Sequence, residues 1–458
     1  MRRQSSWAPH LADGTTSPAE RLAEALSNDI LSGQLQVNER LPAHRDLAWR
    51  LSIGVGSVTR AYAILERRGL VRSVHGRGTF VAVGHENATT RFDLATNMPP
   101  PMFSNKALAG TLTRLAKQVD PDLFNIYPPV AGHLEHRRIM AHWLEGLGID
   151  TRAEHLLLTS GAQQALNVAI TVIRRHVHYA VVEEQTYPGM LGAIHQNQLP
   201  VHAARMDEEG LLPSALEDIL QRNKHQRAVI YLTPTMHNPT TATMELQRRR
   251  DIVALCKKFD ALIIEDGVYL SERDPSRPAL MELAPERTFH VSSLSKILSP
   301  GLRIGALIPP ADYLEACHPV LLASSLMIAP LSYAMMAQWM ENGTAESVRH
   351  SLLHEAIRRQ KLVLTELPQA VTPRHHAFHI WMPVSATLAP HVIQQAHALG
   401  ISLPPATAFQ ATSAPAATGI RLALGNISFR ALPEALRRIR SACMHAEEIV
   451  SRDTIPIY

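Results

Sequence analysis

A chain of 458 residues, 46% of them hydrophobic and 19% charged, is long enough for two or three compact units, and this composition excludes a disordered or collagen-like polymer. Its net charge of +4 lies wholly in residues 1–84, where 11 Arg and no Lys face 7 acidic residues; the remainder balances 34 basic against 34 acidic groups, so the first segment alone points toward a polyanion. Three scattered cysteines, Cys256, Cys317 and Cys443, form no CxxC pair and exclude a disulfide framework, which favours a reduced, cytoplasmic setting.

The opening stretch, MRRQSSWAPHLADGTTSP, has no apolar core of the kind a signal peptide needs. The run SPAERLAEALSNDIL then reads as a helix with Ser17 as N-cap, Pro18 at the first helical position and Glu20 completing a capping box, with Leu22, Leu26 and Ile30 on one face. A short second helix follows Pro42 to about Leu51. In the third, GSVTRAYAILERRG, Val58, Ala61, Tyr62 and Leu65 face inward and leave Ser57, Thr59 and Arg60 outward. The runs LVRSV, HGRG and TFVAV read as strand, turn and strand. Three helices and a basic hairpin make a winged helix-turn-helix, whose third helix would enter the major groove while Gly76 and Arg77 at the tip approach the backbone or minor groove. Periodicity alone fits a small basic domain with an ordinary hairpin equally well, and the localised charge favours DNA. The runs ERLPAHRDLAWRL, GSVTRAYAILERRGLV and GRGTFV resemble the N-terminal domain of the GntR family of bacterial regulators over residues 17–83. The resemblance implies a DNA-binding unit over residues 12–84, with Arg45, Ser57, Thr59 and Arg60 touching DNA. His44 stands where that family more often has serine or glutamine.

Residues 85–91 read as a linker, and from about Phe92 apolar strands alternate with helices of ten or more residues, the pattern of a large α/β sheet. HLLLTSGAQQALNVAITVI is a strand, a turn at Gly161 and a helix whose free N-terminal N–H groups form a ready anion site. ALIIEDGVY delivers Asp266 to the C-terminal end of a buried strand, where open α/β sheets place ligands, although in isolation such an aspartate reads first as a helix cap. The run QRRRD, Gln247 to Asp251, reads as a solvated helix face. Ala316 to Met340 carries no charge but contains two prolines and several polar groups, so it reads as buried helix and loop rather than a membrane span, with Met335 and Met336 in the core. His133 and His136 lack partnering Cys or Asp, so no metal site is expected.

In SSLSKILSPGLRIG, Lys296 stands among Ser, Leu, Ile and Pro rather than among charges, which separates it from an ordinary solvated lysine. A lysine that forms a Schiff base with an aldehyde cofactor needs a phosphate site and a carboxylate that keeps a ring nitrogen protonated. Ser293, Ser295, Arg303 and the helix starting at Gly161 can supply the first, and Asp266 the second. The runs TSGAQQAL, EEQTYPG, TPTMHNPT, IIEDGVY, SLSKILSPGLRIG and GIRLALGN resemble the fold-type I pyridoxal phosphate enzymes of the aspartate aminotransferase superfamily over residues 92–445. The implied fold is α/β: a large, mostly parallel sheet sandwiched by helices, plus a small α+β C-terminal subdomain, mainly residues 345–445. By the same resemblance Lys296 would carry pyridoxal phosphate and Asp266 would pair with its ring nitrogen. Tyr187 would stack on the ring, Asn238 and Tyr269 would bond its phenolic oxygen, and Gly161, Ala162, Gln163, Ser293, Ser295 and Arg303 would hold the phosphate. Tyr127 would reach the other subunit's phosphate, implying a homodimer, and Arg421 would clamp a ligand carboxylate with its bidentate fork.

GntR-like helices joined to an aminotransferase-like body resemble the MocR subfamily of bacterial regulators from end to end. The implied function is transcription regulation: the body senses pyridoxal phosphate or an amino acid or amine effector and moves paired heads on a double-stranded DNA operator. A working aminotransferase with an accessory DNA-binding arm is the alternative, and a ligand-independent architectural DNA binder is a third reading.

Overall fold

The computed structural model describes residues 17–31, 34–35, 39–67, 71–74, 78–81, 92–102, 105–413 and 418–453. The chain divides into two units, residues 1–91 and 92–458. The expected linker, 85–91, and the hairpin-tip residues Gly76 and Arg77 lie outside the described residues.

In the first unit α1 spans Pro18–Leu31, α2 His44–Leu51 and α3 Val55–Arg67, followed by antiparallel strands β1 (Val71–Val74) and β2 (Gly78–Val81). The capping box forms: the Glu20 amide donates to Ser17 Oγ at 3.3 Å, and the Ser17 amide donates back to Glu20 Oε2 at 3.2 Å. Leu22 and Leu26 of α1 meet Leu47 of α2, Val58, Ala61, Tyr62 and Leu65 of α3, and Val71 and Val81 of the hairpin in one core. Burying these faces against each other, more than helix propensity, holds elements this short.

The body is built on a seven-stranded sheet: β3 (Leu157–Thr159), β4 (Tyr179–Glu183), β5 (Val201–Ala204), β6 (Ala228–Leu232), β7 (Leu262–Asp266), β8 (Thr288–Ser293) and β9 (Gly305–Ile308), in the spatial order β3-β9-β8-β7-β6-β4-β5. Neighbours are parallel except β9, which runs antiparallel to both β8 and β3. The central strands are buried along their whole length because helices cover both faces. With period two, Ala180, Val182, Val229, Tyr231 and Ile264 face helix α4 (Ala162–Ile173), whereas Val181, Ile230 and Ile263 face α5 (Leu246–Lys258).

The uncharged stretch near residue 320 forms α6 (Leu314–Ser325) and α7 (Pro330–Glu341), with Cys317, Leu321, Met335, Met336 and Trp339 buried. Among the described residues no single helix is long and apolar enough to cross a membrane. A 23-residue helix, α8 (Thr344–Glu366), leads to the small subdomain, where β10 (His379–Pro383) pairs antiparallel with β11 (Gly419–Ala423) and packs on α9 (Leu432–Asp453). Phe92–Asp93 pairs with Ile401–Ser402 in this subdomain, so the body's first residues belong to its last part.

The expectation for QRRRD is corrected at Arg249, while Gln247 and Arg250 are exposed. Arg249 is only 1% exposed and donates to the carbonyls of Met244, Pro234 and Pro278 at 3.0–3.1 Å and to Thr235 Oγ1 at 2.8 Å. It shares the inward face of α5 with Ile252, Val253 and Cys256, and loop carbonyls rather than water accept its protons.

Candidate functional site

A cavity of about 280 Å³ opens at the C-terminal ends of β6, β7 and β8, lined by residues from widely separated segments of the chain. Asp266 ends β7, Ser293 ends β8, and Ser295 and Lys296 lie on the turn that follows. Ala162 and Gln163 begin α4, Tyr187 sits on the loop after β4, and Asn238 and Thr233 on the loop after β6. Arg421 reaches in from β11.

One end of the cavity is a cradle of donors. Gly161 has φ +88, and a Cβ there would sit 2.6 Å from Arg303 Nη2, so glycine lets the guanidinium lie against the turn. Arg303 Nη1 lies 3.4 Å from Ser295 Oγ, and Ser293 Oγ is 3.0 Å from Ser295 Oγ. No side chain caps the N-terminus of α4. Among the described residues no carboxylate pairs with Arg303. A helix start, two hydroxyls and an uncompensated guanidinium fit a phosphate dianion.

The opposite features surround Asp266. It is buried, with Oδ2 accepting from the Tyr231 hydroxyl at 2.8 Å and Oδ1 from the Val268 amide at 3.2 Å; burial holds its carboxyl above the usual range against these donors. Burial, reinforced by Arg421, pushes the Lys296 amine down to about 8, while Asp266 works the other way. The Lys296 amine donates to the Asn97 carbonyl. Tyr269 accepts from the Asn97 amide at 2.8 Å, and the Tyr187 hydroxyl donates to Gln163 Oε1 at 3.1 Å. Arg421 donates to Asn238 Oδ1 at 3.0 Å and to the Ala95 carbonyl, and lies over the Phe409 ring at 4.7 Å. Its Nε has no hydrogen-bond partner although it is buried.

The structure thus gathers Ala162, Gln163, Tyr187, Asn238, Asp266, Tyr269, Ser293, Ser295, Lys296, Arg303 and Arg421 around one space, with Gly161 directly behind Arg303. Tyr127 is not among its lining residues and is 75% exposed, beside the exposed Phe124 and Ile126. Sequence reasoning missed Asn97, Thr233, Val268 and Tyr231. The tyrosine gave one signal, a hydroxyl inside the aliphatic strand AVIYL. In the first unit Arg45, Thr59 and Arg60 are exposed and Ser57 half-buried. Thr59 Oγ1 lies 3.1 Å from His44 Nδ1, and Trp49, one turn from Arg45 on α2, is 84% exposed.

With the geometry in place, comparison with known proteins is decisive for the body. The aminotransferase class I and II family matches residues 90–439. The chain belongs to that family. Bacterial regulatory proteins of the gntR family match residues 18–81, so this aminotransferase-family chain carries a gntR-type head. It is 27% identical to the HTH-type transcriptional regulator YdeF of Bacillus subtilis over 369 residues, 78% of this chain and 79% of the relative. It is 29% identical to the HTH-type transcriptional regulator TauR of Rhodobacter capsulatus over 344 residues, 66% and 70% of the two chains. In fold it is similar to LysN, the alpha-aminoadipate aminotransferase of Thermus thermophilus solved with N-(5'-phosphopyridoxyl)-L-leucine, with a TM-score of 0.69 and 23% identity over 78% of this chain and 93% of that one.

Proposed function

We propose that the chain is a pyridoxal-phosphate-dependent transcriptional regulator of the MocR type, in which the aminotransferase-family body controls a gntR-type DNA-binding head. The observation that carries this reading is the joining on one chain of the gntR match with a body whose cavity contains a buried lysine, a buried aspartate and a phosphate cradle. Relatives matched over 78% and 66% of this chain are named as HTH-type regulators, which supports regulation over turnover.

When bound, the cofactor supplies an aldehyde that amines condense with and a ring that draws electrons from the attached carbon. The chain's residues do the rest. Lys296, with its amine pushed down to about 8, presents a sizeable neutral fraction near neutral pH and can act as the nucleophile. Asp266 would pair with the ring nitrogen, Tyr187 would cover the ring, and Asn238 and Tyr269 would hold its phenolic oxygen. Gly161, Ala162, Gln163, Ser293, Ser295 and Arg303 would bind the phosphate, joined in a homodimer by the partner subunit's Tyr127; the exposed Phe124, Ile126 and Tyr127 give such a pairing an apolar face to bury. Arg421 orients the carboxylate of an amino-acid effector. In the cytoplasm the paired heads bind operator half-sites through Arg45, Ser57, Thr59 and Arg60, and the effector acts by favouring one arrangement of the body over another.

The test is an absorbance scan of the full-length protein with pyridoxal phosphate, paired with a gel shift on its upstream DNA. The expected result is a visible band that Lys296→Ala abolishes, a borohydride-fixed adduct at Lys296, and one amino compound that changes both the spectrum and the shift. A protein that stays colourless and yields no adduct overturns the reading; repeated release of keto acid identifies an aminotransferase instead.

A further inference from the structure

Strand β6 is aliphatic except at Tyr231, which is fully buried, and a phenylalanine would fill that space without bringing in a polar atom. The hydroxyl is instead aimed across to the neighbouring strand, donating to Oδ2 of Asp266 at 2.8 Å. Tyr231 stands opposite Ile264 in the β6–β7 register, so the reach to Asp266 runs along the strand toward the cavity end. The groups facing the carboxylate are Tyr231 from β6, the Val268 amide at 3.2 Å, His290 from β8, Lys296 from the turn beyond it, Tyr187 from the loop after β4 and Tyr269 from the loop after β7. His290 is engaged by Glu265 at 2.9 Å, and Lys296 donates to the Asn97 carbonyl. The Tyr231 hydroxyl is itself faced by Thr233 and Glu183. Among the described residues Tyr231 is therefore the side chain that donates a hydrogen bond to Asp266.

We propose that Tyr231 is a positioning residue that holds Asp266 in its ionised form and fixes the direction of its free lone pairs, so that a proton shared with a ring nitrogen in the cavity rests on the nitrogen. This rests on the pyridoxal phosphate reading above. A donor to a carboxylate stabilises the charged form, whereas burial favours the neutral acid. Without the hydroxyl, burial meets less opposition and raises the carboxyl further, the proton moves from the ring nitrogen toward Asp266, and the ring loses positive charge. A less positive ring withdraws fewer electrons from the nitrogen of Lys296, which then keeps its proton to higher pH.

The experiment is a pH titration of the visible band of the full-length protein reconstituted with pyridoxal phosphate. Tyr231→Phe is expected to raise the midpoint by about one pH unit, a tenfold shift in the proton equilibrium. Asp266→Asn should raise it at least as far, and the double variant should match Asp266→Asn alone, because Tyr231 acts only through that carboxylate. Tyr231→His, which keeps a ring N–H donor, should return the midpoint toward wild type, and it also serves if the Phe variant does not fold. A wild-type band with an unmoved midpoint in Tyr231→Phe, or additive shifts in the double variant, overturns this role while leaving the cofactor reading intact. A wild-type protein with no band removes both.

Discussion

Arg421 donates from Nη1 to Asn238 Oδ1 at 3.0 Å, joining the small-subdomain strand β11 to the loop after β6. A second bond runs beside it, from His379 Nε2 on β10 to the His237 carbonyl at 3.1 Å. The small subdomain therefore meets the cofactor-side loop at the dipeptide His237–Asn238. A ligand carboxylate that engages Arg421 competes with Asn238 for the same guanidinium. Arg421→Ala is expected to weaken carboxylate-bearing effectors by about 10- to 100-fold, the range for a lost charge-assisted hydrogen bond. The corresponding amines without a carboxylate should bind as before. Spectral titration with an amino acid and its decarboxylated amine separates the two, and equal losses for both would deny Arg421 this task.

Lys296 gives a pH signature with a definite sign. Burial and Arg421 depress its amine to about 8, so below that pH most of it is protonated and unreactive. The rate at which cofactor-free protein develops colour should rise roughly tenfold per unit below about pH 7 and level off above about 8. An exposed lysine would keep accelerating to beyond pH 10. Because Asp266 raises the Lys296 value, Asp266→Asn should move the plateau to lower pH. Stopped-flow absorbance across the pH range decides the matter; a wild-type rate still climbing at pH 10 would contradict the buried amine.

What was legible in the sequence was what lies close along it. Lys296 and Arg303 share one connection between strands, Gly161 and Gln163 share one helix start, and the Ser17–Glu20 cap spans four residues; each can be read without knowing which strands are neighbours. Tyr231 and Asp266 are 35 positions apart, and their bond exists only because β6 lies beside β7 with Tyr231 opposite Ile264. Arg249 was misread for a related reason. In a run of three arginines, which one points inward depends on the phase of α5 and on the carbonyls of Pro234, Met244 and Pro278, all supplied by other segments. Asn97 offered no local signal, since its carbonyl and amide find Lys296 and Tyr269 only in the folded chain.

Arg249 makes a stability prediction that its neighbour controls. Arg249→Met keeps the stem but takes a donor from three carbonyls and the Thr235 hydroxyl, of which the Pro234 carbonyl keeps the Met244 amide at 2.9 Å. Unsatisfied buried acceptors cost about 1–3 kcal/mol each before relaxation, so a net loss of about 3 kcal/mol or more is expected. The loop released is the one that bears Asn238, so cofactor affinity should fall along with the melting temperature. Arg250, exposed on the same helix, should tolerate the same change. Thermal melts and cofactor titrations of the two variants provide the comparison, and equal melting temperatures would show that the buried network contributes nothing.

The head carries the whole net positive charge of the chain, and that excess has a salt signature. Each phosphate that an arginine neutralises releases counterions, so the slope of log affinity against log salt becomes shallower by about one for every contact removed. Arg45 at the start of α2 and Arg60 on α3 are both exposed. His44 lies against Thr59 and meets the Tyr62 ring edge-on at 4.8 Å, locking α2 to α3 so that both arginines move as part of one rigid surface. Arg45→Ala and Arg60→Ala should each reduce operator affinity, and an arginine that touches phosphate should also flatten the slope, without altering the cofactor spectrum. Fluorescence anisotropy on labelled operator DNA at several salt concentrations measures both quantities. Undiminished affinity in both variants would move the DNA-binding surface elsewhere on the head, with the exposed Trp49 face the next to be substituted.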